Sequence, residues 1–182
     1  MQQQVETVRR LGSVFGDVSI GDSKRMMIEF VSVNPTGPVH VGHTRGAVLG
    51  SSLAKILEAA GFDVTREYYV NDAGSQMEAF YGSVLARYRQ ALGLASELPA
   101  NGYVGEYVSD LAQEIIEAEG SRFTEMDEAS ALKQIGDLGR EKMVTVIRED
   151  LEHVGVTFDN WFSERTLFAN GDYERGMQQL RD

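Results

Sequence analysis

His40 and His43 stand three residues apart at the end of NPTGPVHVGH, Asn34 to His43, and are two of the three histidines in the chain. On helical or near-helical backbone, side chains at that spacing project on one side of the first turn. Two ring donors there would face anything seated over a helix N-terminus, where unpaired N–H groups and the helix dipole already favour an anion. The chemistry that suits such an arrangement is displacement at a phosphate, with held donors stabilising the charge that grows on it. Pro35 and Pro38 keep the segment extended and the helix from starting early, while Gly37 and Gly42 let a flat or charged ligand approach the backbone. The glycines do not follow G-x-G-x-x-G, and no G-x-x-x-x-G-K-S/T occurs, so neither a dinucleotide fingerprint nor a P-loop is supported.

The elements that must position this turn are legible on either side. RMMIEFVSV, Arg25 to Val33, is a nearly continuous apolar run and predicts a parallel strand over Met26 to Val33, buried on both faces. From about His43, the residues Ala47, Val48, Leu49, Leu53, Ile56, Leu57 and Ala60 follow helical spacing, and Gly61 suits the helix's C-terminal cap. FDVTREYYV predicts a second strand over Val64 to Val70, parallel to the first and reached by a right-handed crossover. Ligands of such sheets bind beyond the carboxyl ends of the strands, where the histidine turn lies. Ala73 to Leu92 carries Met77, Phe80, Tyr81, Val84, Leu85 and Tyr88 at helical spacing, a core stripe. GLASELPANGYVGE reads as a loop, two further helices are expected over Tyr103 to Glu119 and Glu128 to Val154, and VTFDNWFSE as a short strand or extended segment. YERGMQQLRD begins a helix.

With 182 residues and 42% hydrophobic content, the chain can bury a core, and one domain with an inserted subdomain is expected. No apolar run approaches the ~20 residues that span a bilayer, and the first residues lack a secretory h-region, so a soluble, cytoplasmic protein without membrane contact is the default expectation. No cysteine is present, and three histidines are few for a zinc site, so no protein-bound metal is expected. The net charge of -11 is unevenly spread: residues 1–72 hold 7 basic and 8 acidic side chains, the remainder 10 and 20. No basic stripe suits phosphate backbones, and the acidity belongs to the predicted helical part, so this stretch alone is not expected to bind tRNA tightly.

Three further polar residues stand out. Glu29 within MMIEFVSV would be costly in a strand buried on both faces unless paired, either with a substrate cation or with Arg25 or Arg66. Asp72, in VNDAG at the end of the second strand, faces the same crevice or, more simply, caps the helix that follows. His153, near a helix end, has no evident partner in the sequence and reads as structural.

At these residues the chain resembles a known family. His40-Val41-Gly42-His43 is similar to the HIGH signature of class I aminoacyl-tRNA synthetases, and IEFVSVNPTGPVHVGHTRG followed by FDVTREYYVNDAGSQ resembles the arginyl-tRNA synthetases specifically. H-x-G-H alone also serves nucleotidylyltransferases such as phosphopantetheine adenylyltransferase. Matching segments run from about Gly16 to Gln76 and through GREKMVTVIREDLEHVGVTFDNWFSERTL, and the likeness is weakest across Gly93 to Glu128. The resemblance implies an α/β fold, a class I nucleotide-binding parallel half-sheet of Rossmann-like type with a mainly helical insertion. Its parts would be a linker over 1–24 after an absent N-terminal domain, a first βαβ unit over 25–72, the helical insertion over 73–155, and a truncated return to the catalytic domain over 156–182.

The resemblance further implies that the parent enzyme attaches L-arginine to tRNA(Arg) through an arginyl-adenylate, using ATP with Mg2+ as its counter-ion. Pro35, His40, Gly42 and His43 would face ATP, His40 and His43 acting as the catalytic pair and Gly42 making room for the adenine. Ser32, Val33, Asn34 and His43 would line the arginine site. Asn34 before a proline and Ser32 at a strand end also suit plain turn chemistry. Nothing here resembles the second class I signature, KMSKS; REKMV at Arg140 lies in a helical pattern, and the family's guanidinium-gripping tyrosine and aspartate and its anticodon-binding domain are missing. The expectation is therefore a fragment that carries half a site and is inactive alone. Two other readings stay open: another class I synthetase or H-x-G-H nucleotidylyltransferase, and a non-enzymatic helical module that binds a protein.

Overall fold

In the computed structural model, which describes residues 2–181, a three-stranded parallel sheet sits beside a helical layer. The strands are β1 (Arg25–Glu29), β2 (Asp63–Val70) and β3 (Asn160–Ser163), in the order β1-β2-β3. Arg25 aligns with Asp63 and Glu67 with Asn160, so β2 is the central strand. The helices are α1 (Gln2–Leu11), α2 (Val41–Ala59), α3 (Ser75–Ala91), α4 (Glu106–Glu119), α5 (Glu128–His153), α6 (Arg165–Ala169) and α7 (Asp172–Arg181). The α/β class, the parallel pairing and the helix crossing between β1 and β2 agree with the reading of the sequence. Among the described residues, 73–155 hold helices and no strand.

The first strand differs from its expectation. Among the described residues it pairs on one side only and ends at Glu29, and Met26 and Met27 are 39% and 63% exposed. An apolar run records hydrophobicity but not the number of neighbours, and here the neighbour count is one. Beyond Glu29 the backbone leaves the sheet: Val31 and Ser32 have φ of 67° and 44°, a left-handed conformation that costs roughly 1–3 kcal/mol for residues with a Cβ and persists only where surroundings over-determine it. The stretch expected as a linker over 1–24 holds α1, none of whose residues is buried.

Helix α2 also turns a different face inward. Ala47, Gly50, Ser51 and Ala54, spaced at i, i+3, i+4 and i+7, are buried, whereas Val48, Leu49, Leu53 and Ile56 are exposed. The small residues win the inner face because the helix lies close to β1: Phe30's ring occupies the place where a Cβ on Gly50 would stand. The helix stops at Ala60 and Gly61, the latter at φ 87° with its N–H donating to the Glu58 carbonyl. The main core lies elsewhere, between β2, α3, α4 and α5, where Phe80, Val84, Tyr88, Val108, Ile115, Phe123, Ile135 and Ile147 are almost fully buried.

Candidate functional site

The histidine turn is built by its own side chains. His40 is the N-cap of α2, with extended backbone, and its Nδ1 accepts the Gly42 N–H at 3.1 Å. His43 reciprocates: its Nδ1 accepts the His40 N–H at 3.4 Å, a capping box made from two imidazoles. The helix therefore starts at Val41, two residues before the periodicity suggested. The rings stack with centroids 3.5 Å apart and planes 25° from parallel. With each Nδ1 accepting, the neutral ring carries its proton on Nε2, and that N–H is the donor left for a ligand. Burial, and then the neighbouring His40, hold His43 below the ordinary histidine value of 6.5, so it is neutral at pH 7. Gly42 has a local reason as well: a Cβ there would stand 2.9 Å from Cε1 of His40, so the space expected for a ligand is where His40's ring folds back.

These histidines open onto a crevice of about 630 Å³, lined also by Val33, Asn34, Thr36, Gly37, Pro38, Val39, Tyr103 and Tyr107. Asn34 donates its side-chain amide to the Gln76 carbonyl oxygen, which ties the crevice to the start of α3. Tyr107 donates to the Thr36 carbonyl at 2.7 Å, and burial raises its pKa, so the hydroxyl stays protonated. Tyr68 accepts from the Val33 N–H at 3.2 Å and donates to the Val33 carbonyl at 3.0 Å. Pro35 is buried beneath the turn.

Of the residues singled out from sequence, Val33, Asn34, His40 and His43 line this crevice. Ser32 is half-buried beside it, its Oγ accepting the Tyr69 N–H at 3.1 Å and thereby continuing the β1–β2 contact where the backbone has left the sheet. Glu29 is corrected: it is exposed at the end of an edge strand, so the argument from burial fails, and Arg66 pairs instead with Glu58 at 2.7 Å and with Asp159. Asp72 is corrected too. Gly74, at φ 84°, is the N-cap of α3, and the Asp72 carboxylate is buried against Arg140 (3.0 Å), the Ser163 hydroxyl and the Arg165 N–H. A carboxylate two residues beyond a strand end has the sequence signature of a cap, and only the long-range fold supplies Arg140. His153 is exposed, with Nδ1 2.7 Å from the Glu149 carbonyl oxygen.

Sequence reasoning missed Tyr103, Tyr107, Thr36 and Gln76. The sequence places both tyrosines in a helix over Tyr103 to Glu119, whereas α4 begins at Glu106 and leaves Tyr103 in the loop before it; Gln76 carries only its place in VNDAGSQ. A second, half-buried network adjoins Asp72 through Arg165. Asp137 accepts from Tyr81 (2.8 Å), Arg165 (2.7 Å) and Lys133 (3.2 Å). Burial pushes the Asp137 carboxyl up, but those donors outweigh it and hold it below the ordinary range.

Comparison with known proteins points to a family. A family model described as class I (R) tRNA synthetases, catalytic domain, matches residues 8–97. The arginine–tRNA ligase of Dehalococcoides mccartyi strain BAV1 is 46% identical over 176 residues, 97% of this chain and 32% of that protein. The arginine–tRNA ligase of Syntrophotalea carbinolica is 47% identical over 177 residues, again 97% of this chain and 32% of the relative. A crystal structure assigned as an arginyl-tRNA synthetase from Campylobacter jejuni superimposes with a TM-score of 0.80 at 32% identity, covering 94% of this chain and 38% of that one. The chain thus spans about a third of the length of the curated relatives it matches. Taken with the H-x-G-H cap and the parallel sheet that presents it, these likenesses show that the chain belongs to the arginyl-tRNA synthetase family of class I.

Proposed function

We propose that this chain supplies the ATP- and arginine-facing turn of a cytoplasmic enzyme that joins L-arginine to tRNA(Arg) in two steps. The arginine carboxylate attacks the α-phosphate of ATP and pyrophosphate leaves; the arginyl group then passes from the adenylate to the terminal ribose of tRNA. The observation that carries this reading is the imidazole capping box, which fixes both Nδ1 atoms as acceptors and leaves Nε2–H donors beside an open crevice. His40 and His43 would hold the phosphates and offset charge developing at the α-phosphorus, with Pro35 and Gly42 shaping the backbone beneath the nucleotide. Mg2+ would arrive on ATP as its counter-ion. Asn34, fixed by Gln76, would meet the polar end of arginine, with Val33, Ser32 and His43 around it. Asp72 acts through structure, holding the turn after β2. Glu29 is proposed only as a carboxylate at the open edge of the sheet.

The reading is tested by arginine-dependent ATP–pyrophosphate exchange, tRNA present, in an arginine–tRNA ligase of full relative length that carries these residues. His43→Ala is expected to lower the exchange rate by a factor on the order of 10², the scale of losing one preorganised donor to a developing charge. Exchange at the unsubstituted rate would overturn the role given to the turn. The residues here lack a KMSKS-like stretch, so exchange by this chain alone is expected to be undetectable.

A further inference from the structure

Tyr68 lies on the central strand, 1% exposed, its ring stacked on Trp161 with centroids 4.3 Å apart and meeting the ring of Phe158 edge-on. Its hydroxyl is spent on one residue: it accepts the Val33 N–H and donates to the Val33 carbonyl. A phenol has one proton and two lone pairs, so a single Tyr can satisfy both main-chain groups of a residue that no strand partner serves. The two residues before Val33 are those at φ 67° and 44°, and the residue after it is Asn34, whose amide meets Gln76. Burial raises the Tyr68 pKa, so the hydroxyl keeps its proton and stays a donor throughout the neutral range.

We infer that Tyr68 is a positioning residue for the crevice: its hydroxyl clamps the Val33 peptide groups, holds the left-handed turn at Val31 and Ser32, and thereby sets where the Asn34 amide stands. It touches no proposed substrate itself. The clamp acts on the Asn34 side of the crevice and not on the histidine cap, which is closed by its own two rings. Its loss is therefore felt by arginine more than by ATP. That ligand-specific part rests on the proposed function; the clamp on Val33 does not.

The test compares the chain with Tyr68→Phe, which keeps the stacked ring and deletes only the hydroxyl. Amide hydrogen exchange at Val33 is expected to rise about tenfold or more, the consequence of leaving half-buried main-chain groups unpaired, while the amides of Phe80 and Ile135 change less than about twofold. In the full-length enzyme the KM for arginine is expected to rise about tenfold, with the KM for ATP within about threefold. Unchanged Val33 exchange overturns the clamp, and so does a rise shared by Phe80 and Ile135, which marks general loosening. Equal loss for the two ligands overturns the positioning role. An enzyme whose unsubstituted form does not use arginine refutes the proposed function, and Val33 exchange then decides the clamp by itself. If Tyr68→Phe fails to fold, the unsubstituted chain still decides: its Val33 amide is expected to exchange at least about tenfold more slowly than an unstructured amide, and an unprotected Val33 overturns the clamp.

Discussion

The helical layer and the histidine turn are built on opposite terms. In α3, α4 and α5 the large apolar side chains are inside, with Phe80, Val84, Tyr88, Val108 and Ile135 at 0% exposure. On α2 the inside face is Ala, Gly and Ser, and the large side chains Leu49 and Ile56 stand 70% and 65% exposed. Burial is what stabilises a fold, at roughly 25 cal/mol per Å² of apolar surface, so stability concentrates in the helices. The turn follows strained backbone at Val31 and Ser32 and carries an exposed His40 beside a half-buried His43, which suits a ligand more than a core. The histidine turn meets the helical layer where Asn34 bonds Gln76 and Tyr107 bonds the Thr36 carbonyl, and the buried Asp72 carboxylate, paired with Arg140, ties the end of β2 to α5.

Unequal burial makes unequal predictions. Phe80→Ala should cost about 3–5 kcal/mol, while Leu53→Ala on the open face of α2 should stay within about 0.5 kcal/mol. Urea unfolding followed by Trp161 fluorescence measures both, and similar costs would break the comparison. Next in size is the joint between the sheet and the helices. The Asp72 side chain is wholly buried and that of Arg140 is 17% exposed, so Asp72→Ala should cost about 3 kcal/mol by stranding the guanidinium. Arg140→Met in the same molecule should recover part of that loss; a strictly additive double variant would show that the pair does not join the two layers.

A smaller effect should appear in acid. Asp137 lies below its ordinary value of 3.8 in the folded chain, so its contribution is fully present above 3.8 and is lost as pH falls through the lowered folded value. Asp137→Asn should flatten the acid limb of the stability profile; an unchanged limb would contradict the role of its three donors. The smallest effect belongs to the cap. His43 is lowered from 6.5, so below that pH the unfolded chain takes up its proton first and stability declines toward the folded value. Protonation also removes the Nδ1 acceptor. His40→Ala should cost about 1 kcal/mol or less, read from thermal unfolding at pH 7.

What was legible in the sequence follows the same division. Local signals were strong for the parallel β1–α2–β2 unit, for the stripe of α3 and for the H-x-G-H turn, because periodicity and turn residues act over a few positions. The errors at β1, Glu29 and Asp72 share one cause: each depends on a neighbour far along the chain. Whether MMIEFV is an edge or a centre is decided by β3, about 130 residues later, which pairs with β2 and leaves β1 open on its other side. Asp72 reads as a cap until α5 brings Arg140 to it. Tyr68 looked like one more aromatic in a strand, and its hydroxyl's task at Val33 is visible only once the chain has left the sheet at Val31.

The central claim, that the turn is a nucleotide site, has a direct measurement because the chain has only three histidines. In a proton NMR titration with ATP and Mg2+, the imidazole signals of His40 and His43 should move together and saturate, while His153, at the far end of α5, should stay in place. Signals of His40 and His43 that do not respond, or a His153 signal that moves as far as theirs, would contradict the account.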